Sequence, residues 1–192
     1  MKENRIAIFG LSVIMGLVAV GCTPITQANA ADAAAAVGLG TNGSYGAGSK
    51  SILAQTIIDN RKVFEEAQAK ALSVDFTASY GGGTVTFATV SEASLPDSSQ
   101  DGSFPLIHLA CSITYSNVKV TYDGKDYTLN GTIYARLAAS TYLSFVLTGD
   151  VKIAGAIDDK ANIDVVFNGS LTGYAFTGTV NGYSVSSNLT VK

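Results

Sequence analysis

The sequence predicts an α+β domain. One N-terminal amphipathic helix should pack on a curved antiparallel sheet of about eight or nine strands, a half-barrel or partial barrel. Three observations predict this. Residues 49–72 carry apolar side chains at spacings of three and four. From Ser73 to the end the apolar period changes to two. The alternating runs are joined by short segments rich in Gly, Asn and Asp, which implies antiparallel neighbours.

The helix is read over Ser49–Leu72. Ile52, Leu53, Thr56, Ile57, Val63, Phe64, Ala67 and Ala71 fall near one face. Asp59, Arg61, Lys62, Glu65, Glu66 and Lys70 mostly take the other, with Glu66 and Lys70 placed as a favourable i,i+4 pair. Ser49 or Ser51 can cap its start. The polar face is not Lys/Arg-rich, so the helix is expected to cover a sheet and not to lie on a membrane surface.

The strands follow in order. Val74, Phe76, Ala78 and Tyr80 lead to Gly81-Gly82-Gly83, and Val85, Phe87 and Thr89 return the chain. Residues 91–105 form a loop of Ser, Asp and Pro, long enough to be a candidate contact region. Ile107, Leu109, Cys111, Ile113 and Tyr115 mark the next run, and Val118, Val120 and Tyr122 continue it to a turn at Asp123-Gly124-Lys125-Asp126. Tyr127–Leu137, Tyr142–Ile153, Ile163–Leu171, Tyr174–Val180 and Tyr183–Val191 complete the set, with Asn181-Gly182 as a hairpin turn.

A five-residue pattern recurs four times in these strands: apolar, Asn or Thr, Gly, small polar or Asp, apolar. Its glycines are Gly131, Gly149, Gly169 and Gly178. Alternation puts each on the face of its apolar neighbours. Glycine inside a strand marks a bend or a close approach of another backbone. These four are therefore candidates to line a groove for the helix or for a ligand, or simply to permit curvature. In architecture alone, such a sheet resembles the envelope lipid-carrier families, the lipoprotein-localisation carriers among them. That resemblance implies an apolar ligand between helix and sheet, but no motif of theirs is matched.

Upstream, residues 22–48 read as an Ala/Gly-rich tether with no apolar face to bury, and residues 49–192 as one domain. Residues 1–21 have the three parts of a signal peptide. Lys2 and Arg5 give a basic start, Ile6–Val20 is an apolar run too short for a lasting span, and small residues precede Cys22. Val18-Ala19-Val20-Gly21-Cys22 resembles the lipobox of bacterial lipoproteins. The resemblance covers residues 1–22 and implies that Cys22 becomes the lipidated first residue. Membrane attachment would then run through the lipid, since one acyl chain holds weakly and two or three hold firmly. Ala19 departs from the usual Leu, and Ala28-Asn29-Ala30 offers an alternative A-x-A cleavage site. Thr23, in place of Asp, implies the outer membrane where the cell has one.

Composition excludes several classes. Loss of residues 1–21 leaves 192 less 21, or 171 residues, and shifts the formal charge of −3 to −4, because Lys2, Arg5 and Glu3 go with them. A mildly acidic chain without a basic run is not expected to bind nucleic acid. With Cys22 as the anchor, Cys111 is unpaired and reads as core. His108 is the only histidine and supports neither a triad nor a multi-His zinc site, so no catalytic residue, cofactor or metal is assigned. Asp123, Asp126, Asp158 and Asp159 fall in turns, which favour Asp for backbone reasons. Gly38-x-Gly40-x-x-Gly43 matches a dinucleotide fingerprint by letter but follows no strand. Tyr134, Tyr142 and Tyr174 are placed opposite the glycine face, as a flat surface for glycan or protein or as ordinary cross-strand pairs.

The functional expectation is a membrane-anchored envelope lipoprotein with a non-catalytic structural or interaction role. Its partners would be the membrane and an envelope protein, lipid or glycan. The alternatives are a carrier of a lipid or other apolar ligand and, behind it, a hydrolase of envelope polymers.

Overall fold

The computed structural model describes residues 23–42, 60, 62, 63, 66, 70, 74–100, 108–138, 144–170 and 173–190. Among the described residues, helix α1 (Ala30–Asn42) is followed by eight strands, with a short 3-10 helix at Glu92–Ser94 after the second: β1 (Asp75–Tyr80), β2 (Gly83–Thr89), β3 (His108–Tyr122), β4 (Lys125–Ala138), β5 (Ser144–Gly155), β6 (Asp159–Ser170), β7 (Gly173–Val180) and β8 (Tyr183–Thr190). The strands form a single sheet in sequence order, every neighbour antiparallel. The α+β class, the antiparallel pairing and the strand positions agree with the sequence. The two runs through Tyr115 and Val118 are one strand, so the sheet has eight strands.

Apolar alternation explains which face is buried. On β3, Leu109, Cys111, Ile113 and Tyr115 point inward, and so do Val118 and Val120, which are out of phase with them. A bulge between Tyr115 and Val118 restores the phase, with Asn117 at φ 55°. On β4–β7 the inward set is aliphatic and aromatic. Phe145 and Phe167 stack at 5.0 Å between centroids, Phe167 and Phe176 lie 5.4 Å apart, and Tyr174 meets the edge of Phe145.

The helix is where the sequence expectation fails. The stretch read as a tether is α1, and it sits in the core. Ala33, Ala34, Ala35, Ala36 and Val37 are fully buried. Five consecutive helical positions cover the whole circumference, so the helix is enclosed all round. A helix that is apolar on every side belongs in an interior, and it shows no stripe for a periodicity search to find. The expected 49–72 helix lies outside the described residues except at a few points. Asn60, Lys62, Val63 and Glu66 are helical, and the Lys70 N–H donates to the Glu66 carbonyl at 3.1 Å. The expected Glu66–Lys70 ion pair is present at 3.7 Å. Val63, placed on the apolar face by its spacing, is 46% exposed.

The sheet curves around α1. The helix packs against β3 and β4 and also against β6, β7 and β8. In a flat sheet β3 and β8, five places apart, would stand about 24 Å from each other. A helix is about 10 Å across and cannot touch both unless the sheet bends. The Tyr122 side chain at the end of β3 also lies beside Ser187 of β8. The residues of β3 that pair with β2 run from Cys111 to Ser116, so the part beyond the bulge is the part that turns toward β8.

Small side chains let the helix into this space. A Cβ on Gly38 would stand 2.5 Å from Cε1 of Phe167, and one on Gly40 would stand 2.3 Å from Cδ1 of Leu129. The helix backbone rests directly on these side chains.

Candidate functional site

The concave face is the first place to look for a ligand site, and α1 occupies it. Both helix ends are fastened. At the C-terminal end Thr41 and Tyr115 are buried and their hydroxyls lie 2.6 Å apart. The Thr41 hydroxyl donates to the Val37 carbonyl at 2.9 Å, so its single proton is used and Tyr115 is the donor between them. Burial pushes the Tyr115 phenol above its usual range. At the N-terminal end Asp32 pairs with the Lys125 ammonium at 2.8 Å and accepts from the Tyr127 hydroxyl at 3.5 Å. Burial, and then the Asp32 carboxylate, raise Tyr127 to about 12.

The four repeat glycines pair by register with inward-facing residues, yet Gly131 is exposed and Gly149, Gly169 and Gly178 are only half-buried. Gly131 pairs with Tyr115 and Val151, Gly149 with Ile133 and Ile163, Gly169 with Tyr174, and Gly178 with Val165 and Val185. They step across the sheet from strand to strand and make no straight stripe. Gly178 shows their use: at φ 147°, a Cβ there would stand 2.2 Å from the Asp164 carbonyl oxygen and 2.7 Å from the Val165 Cα. Its close neighbour is the adjacent strand. The glycines that admit the helix are its own, Gly38 and Gly40. The dinucleotide-like letters therefore include two helix-packing positions.

Tyr174 is buried against Phe145, contrary to its expected place on the outer face. Tyr134 lies on the outer face and is partly buried, and Tyr142 is outside the described residues. His108 opens β3 opposite Ala138. Cys111 is buried, and loss of water raises its thiol to about 12, so it is a core residue and a poor nucleophile. Among the described residues there is no cluster of three potential metal ligands. A depression beside the β1–β2 turn is lined by Ser79–Thr84, Ser116 and Asn117; Tyr80 is its one titratable side chain.

Several of the described carboxylates are engaged in structure. Asp150 pairs with Lys160 at 2.7 Å and accepts from Asn162, and these bonds hold its carboxyl below the usual range. Asp158 pairs with Lys152. Asp126 accepts from Thr121. Asp164 accepts from the Ser98 hydroxyl at 2.6 Å and from the Ser99 N–H at 2.9 Å. With the Arg136 guanidinium donating to the Pro96 carbonyl at 2.9 Å, this straps residues 96–99 across the outer face of the sheet. The first part of the expected contact loop is thus bound to the domain.

The segment before α1 is equally built in. The Thr23 carbonyl accepts from the Asp158 N–H at 3.1 Å, and the Ile25 N–H donates to Asp159 at 2.9 Å. The Ile25 side chain is in the core, and the Gln27 amide donates to the Ser184 carbonyl at 3.0 Å. The Asn29 side chain accepts from the Thr26 N–H at 2.7 Å and donates to the Pro24 carbonyl at 3.0 Å. Sequence reasoning missed this segment. Its available signal was Asn29 directly before an alanine run, a helix-start cue.

The chain matches no protein-family model, no curated protein and no solved structure. Among the described residues no helix is long and apolar enough to cross a membrane.

Proposed function

We propose that this chain is an envelope lipoprotein, anchored through Cys22, whose domain has a structural or interaction role without catalysis. The observation that carries the reading is a coincidence of boundaries. The lipobox-like run ends at Cys22, and Thr23 is already hydrogen-bonded to the sheet. Cleavage near Ala30 would instead strip Ile25 from the core and remove the Thr26–Asn29 turn that starts α1. The fold therefore favours a mature chain that keeps residues 23–29. Thr23 after the cysteine fits the outer membrane of a diderm cell. Its partners, beyond the membrane, would be an envelope protein or glycan.

The domain is best described as a partial barrel with α1 as its filling. This weighs against a lipid carrier, because a ligand on the concave face must displace a helix packed to within a methyl group of Phe167 and Leu129. The engaged carboxylates weigh against the hydrolase.

Intact mass spectrometry of membrane-extracted protein tests the anchor. The expected product begins at Cys22 and carries a diacylglyceryl group, and Cys22→Ser leaves the membrane fraction. An unmodified chain beginning at residue 31 would refute it. An apolar ligand that co-purifies in stoichiometric amount would instead establish the carrier.

A further inference from the structure

Lipoprotein anchors are usefully described by how much chain separates the lipid from the domain, and here the separation is one peptide unit. Consecutive Cα atoms are about 3.8 Å apart, so an acyl group on Cys22 is delivered next to Thr23. Thr23 is fixed to Asp158 in the β5–β6 turn, Ile25 to Asp159 at the start of β6, and Gln27 to Ser184 near the start of β8. All three attachments lie at one end of the sheet. The turns Asp123-Gly124 and Asn181-Gly182 lie there too, because β3, β5 and β7 run toward that end and β4, β6 and β8 run away from it.

We propose that this turn-bearing end is seated on the phospholipid headgroups, with the strands standing up from the bilayer. The proposal rests on the anchoring of Cys22 and adds the orientation that anchoring imposes. At this end Lys125 pairs with Asp32, Lys152 with Asp158 and Lys160 with Asp150, which offsets three of its acids, while Asp126 accepts from Thr121, Asp159 accepts from the Ile25 N–H and Asp123 stands in the β3–β4 turn. The opposite end is presented outward. β4 has 14 residues, which sets the two ends about 45 Å apart along the strand. The 96–99 strap meets Arg136, two residues from the outer end of β4, and Asp164, five residues from the seated end of β6, so it lies across the outer face between the two ends.

The test uses the full acylated chain in phosphatidylcholine/phosphatidylglycerol vesicles containing a headgroup nitroxide quencher. A fluorophore is placed by Ser184→Cys near the proposed seat, or by Ala175→Cys or Asn188→Cys on the same outer face. Ser184 pairs with Thr179, four residues from Ala175, or about 14 Å along the strand. All three positions are exposed. Quenching at residue 184 should exceed that at 175 and 188 several-fold. Inserting about 12 Gly/Ser residues between Cys22 and Thr23 adds a mean reach of about 19 Å and should abolish the difference while acylation and membrane binding persist. Equal quenching at all three positions in acylated protein without the insert would overturn the orientation and leave the anchor intact. Protein found by mass to be unacylated would overturn both.

Discussion

Gly38→Ala separates three pictures of residues 30–42 in one measurement. In a solvated tether the change would leave stability nearly unaltered. In an exposed helix it would stabilise by about 1 kcal/mol, the difference in helix propensity between the two residues. In the structure the new methyl would stand 2.5 Å from Cε1 and 2.8 Å from Cζ of Phe167. Carbon atoms pack best at about 3.5–4.0 Å, so the overlap exceeds about 0.7 Å at two ring atoms. Phe167 is fully buried, stacked on Phe145 and tilted against Phe176, so the ring has nowhere to rotate. Overpacking of this kind costs about 1–3 kcal/mol, and the rigid ring argues for the upper half of that range. After subtracting the propensity gain, a net loss of about 1–2 kcal/mol is expected. For a chain of this size that lowers the melting temperature by about 2–8 °C. Urea unfolding followed by circular dichroism reads it as a lower midpoint at unchanged slope. The double variant Gly38→Ala with Phe167→Leu should lose less than the sum of its parts, since the two sites touch. A stabilised Gly38→Ala protein would refute the buried placement of α1.

Two further outcomes follow from buried hydroxyls and the buried thiol. Thr41→Val should cost about 1–3 kcal/mol in urea unfolding, because it leaves the Tyr115 hydroxyl buried without its acceptor. Tyr115→Phe should cost less, about 0.5–1.5 kcal/mol, because Thr41 keeps its bond to the Val37 carbonyl, and equal losses would contradict the assigned donor. Cys111 should resist a thiol reagent until the protein unfolds. Its thiol is raised from 9.0 to about 12, so the unfolded chain releases this proton first as pH rises. Stability is then full below about pH 9 and falls between about 9 and 12, with Cys111 alone adding a slope of about 1.4 kcal/mol per pH unit. Urea midpoints measured across that range should drop, and Cys111→Val should flatten the curve; a curve unaltered by Cys111→Val would contradict the assigned cause.

The sheet was legible because its signals are local. Alternation in β1, β2 and β4–β8 marks inward residues directly, and Asp123-Gly124 and Asn181-Gly182 mark two-residue turns. The phase change between Tyr115 and Val118 was visible too, and its meaning as one bulged strand follows only from pairing with both Gly131 and Leu129 of β4. The helix was not legible, for a physical reason. Amphipathicity identifies a helix that faces water on one side, whereas α1 faces water on almost none. Its alanines and glycines look like linker composition, and only the curvature of a sheet formed by residues far downstream makes them core. Tyr174 shares the parity of Phe176, Gly178 and Val180, so alternation along β7 already places it inward, and the expected outer position went against that signal.

The location of α1 also bears on what the glycine repeat is for. A groove shaped for an exchangeable lipid needs room left over when the domain is folded, and its walls should be smooth on the ligand side. Here the tight contacts run the other way. Gly178 brings neighbouring strand backbones together, which lets the sheet bend, and Gly38 and Gly40 remove side chains from the object inside the bend. Both sets serve one result, a sheet curled closely around its own N-terminal helix. Because that helix is continuous with the segment pinned at Asp158 and Asp159, any pull on Cys22 is transmitted to the β5–β6 turn and to the core through Ile25. On the proposed anchoring, a lipidated Cys22 wired into the core in this way would resist extraction of the helix and hold the domain at a fixed attitude, which would suit a protein that presents a surface better than one that opens to release a ligand.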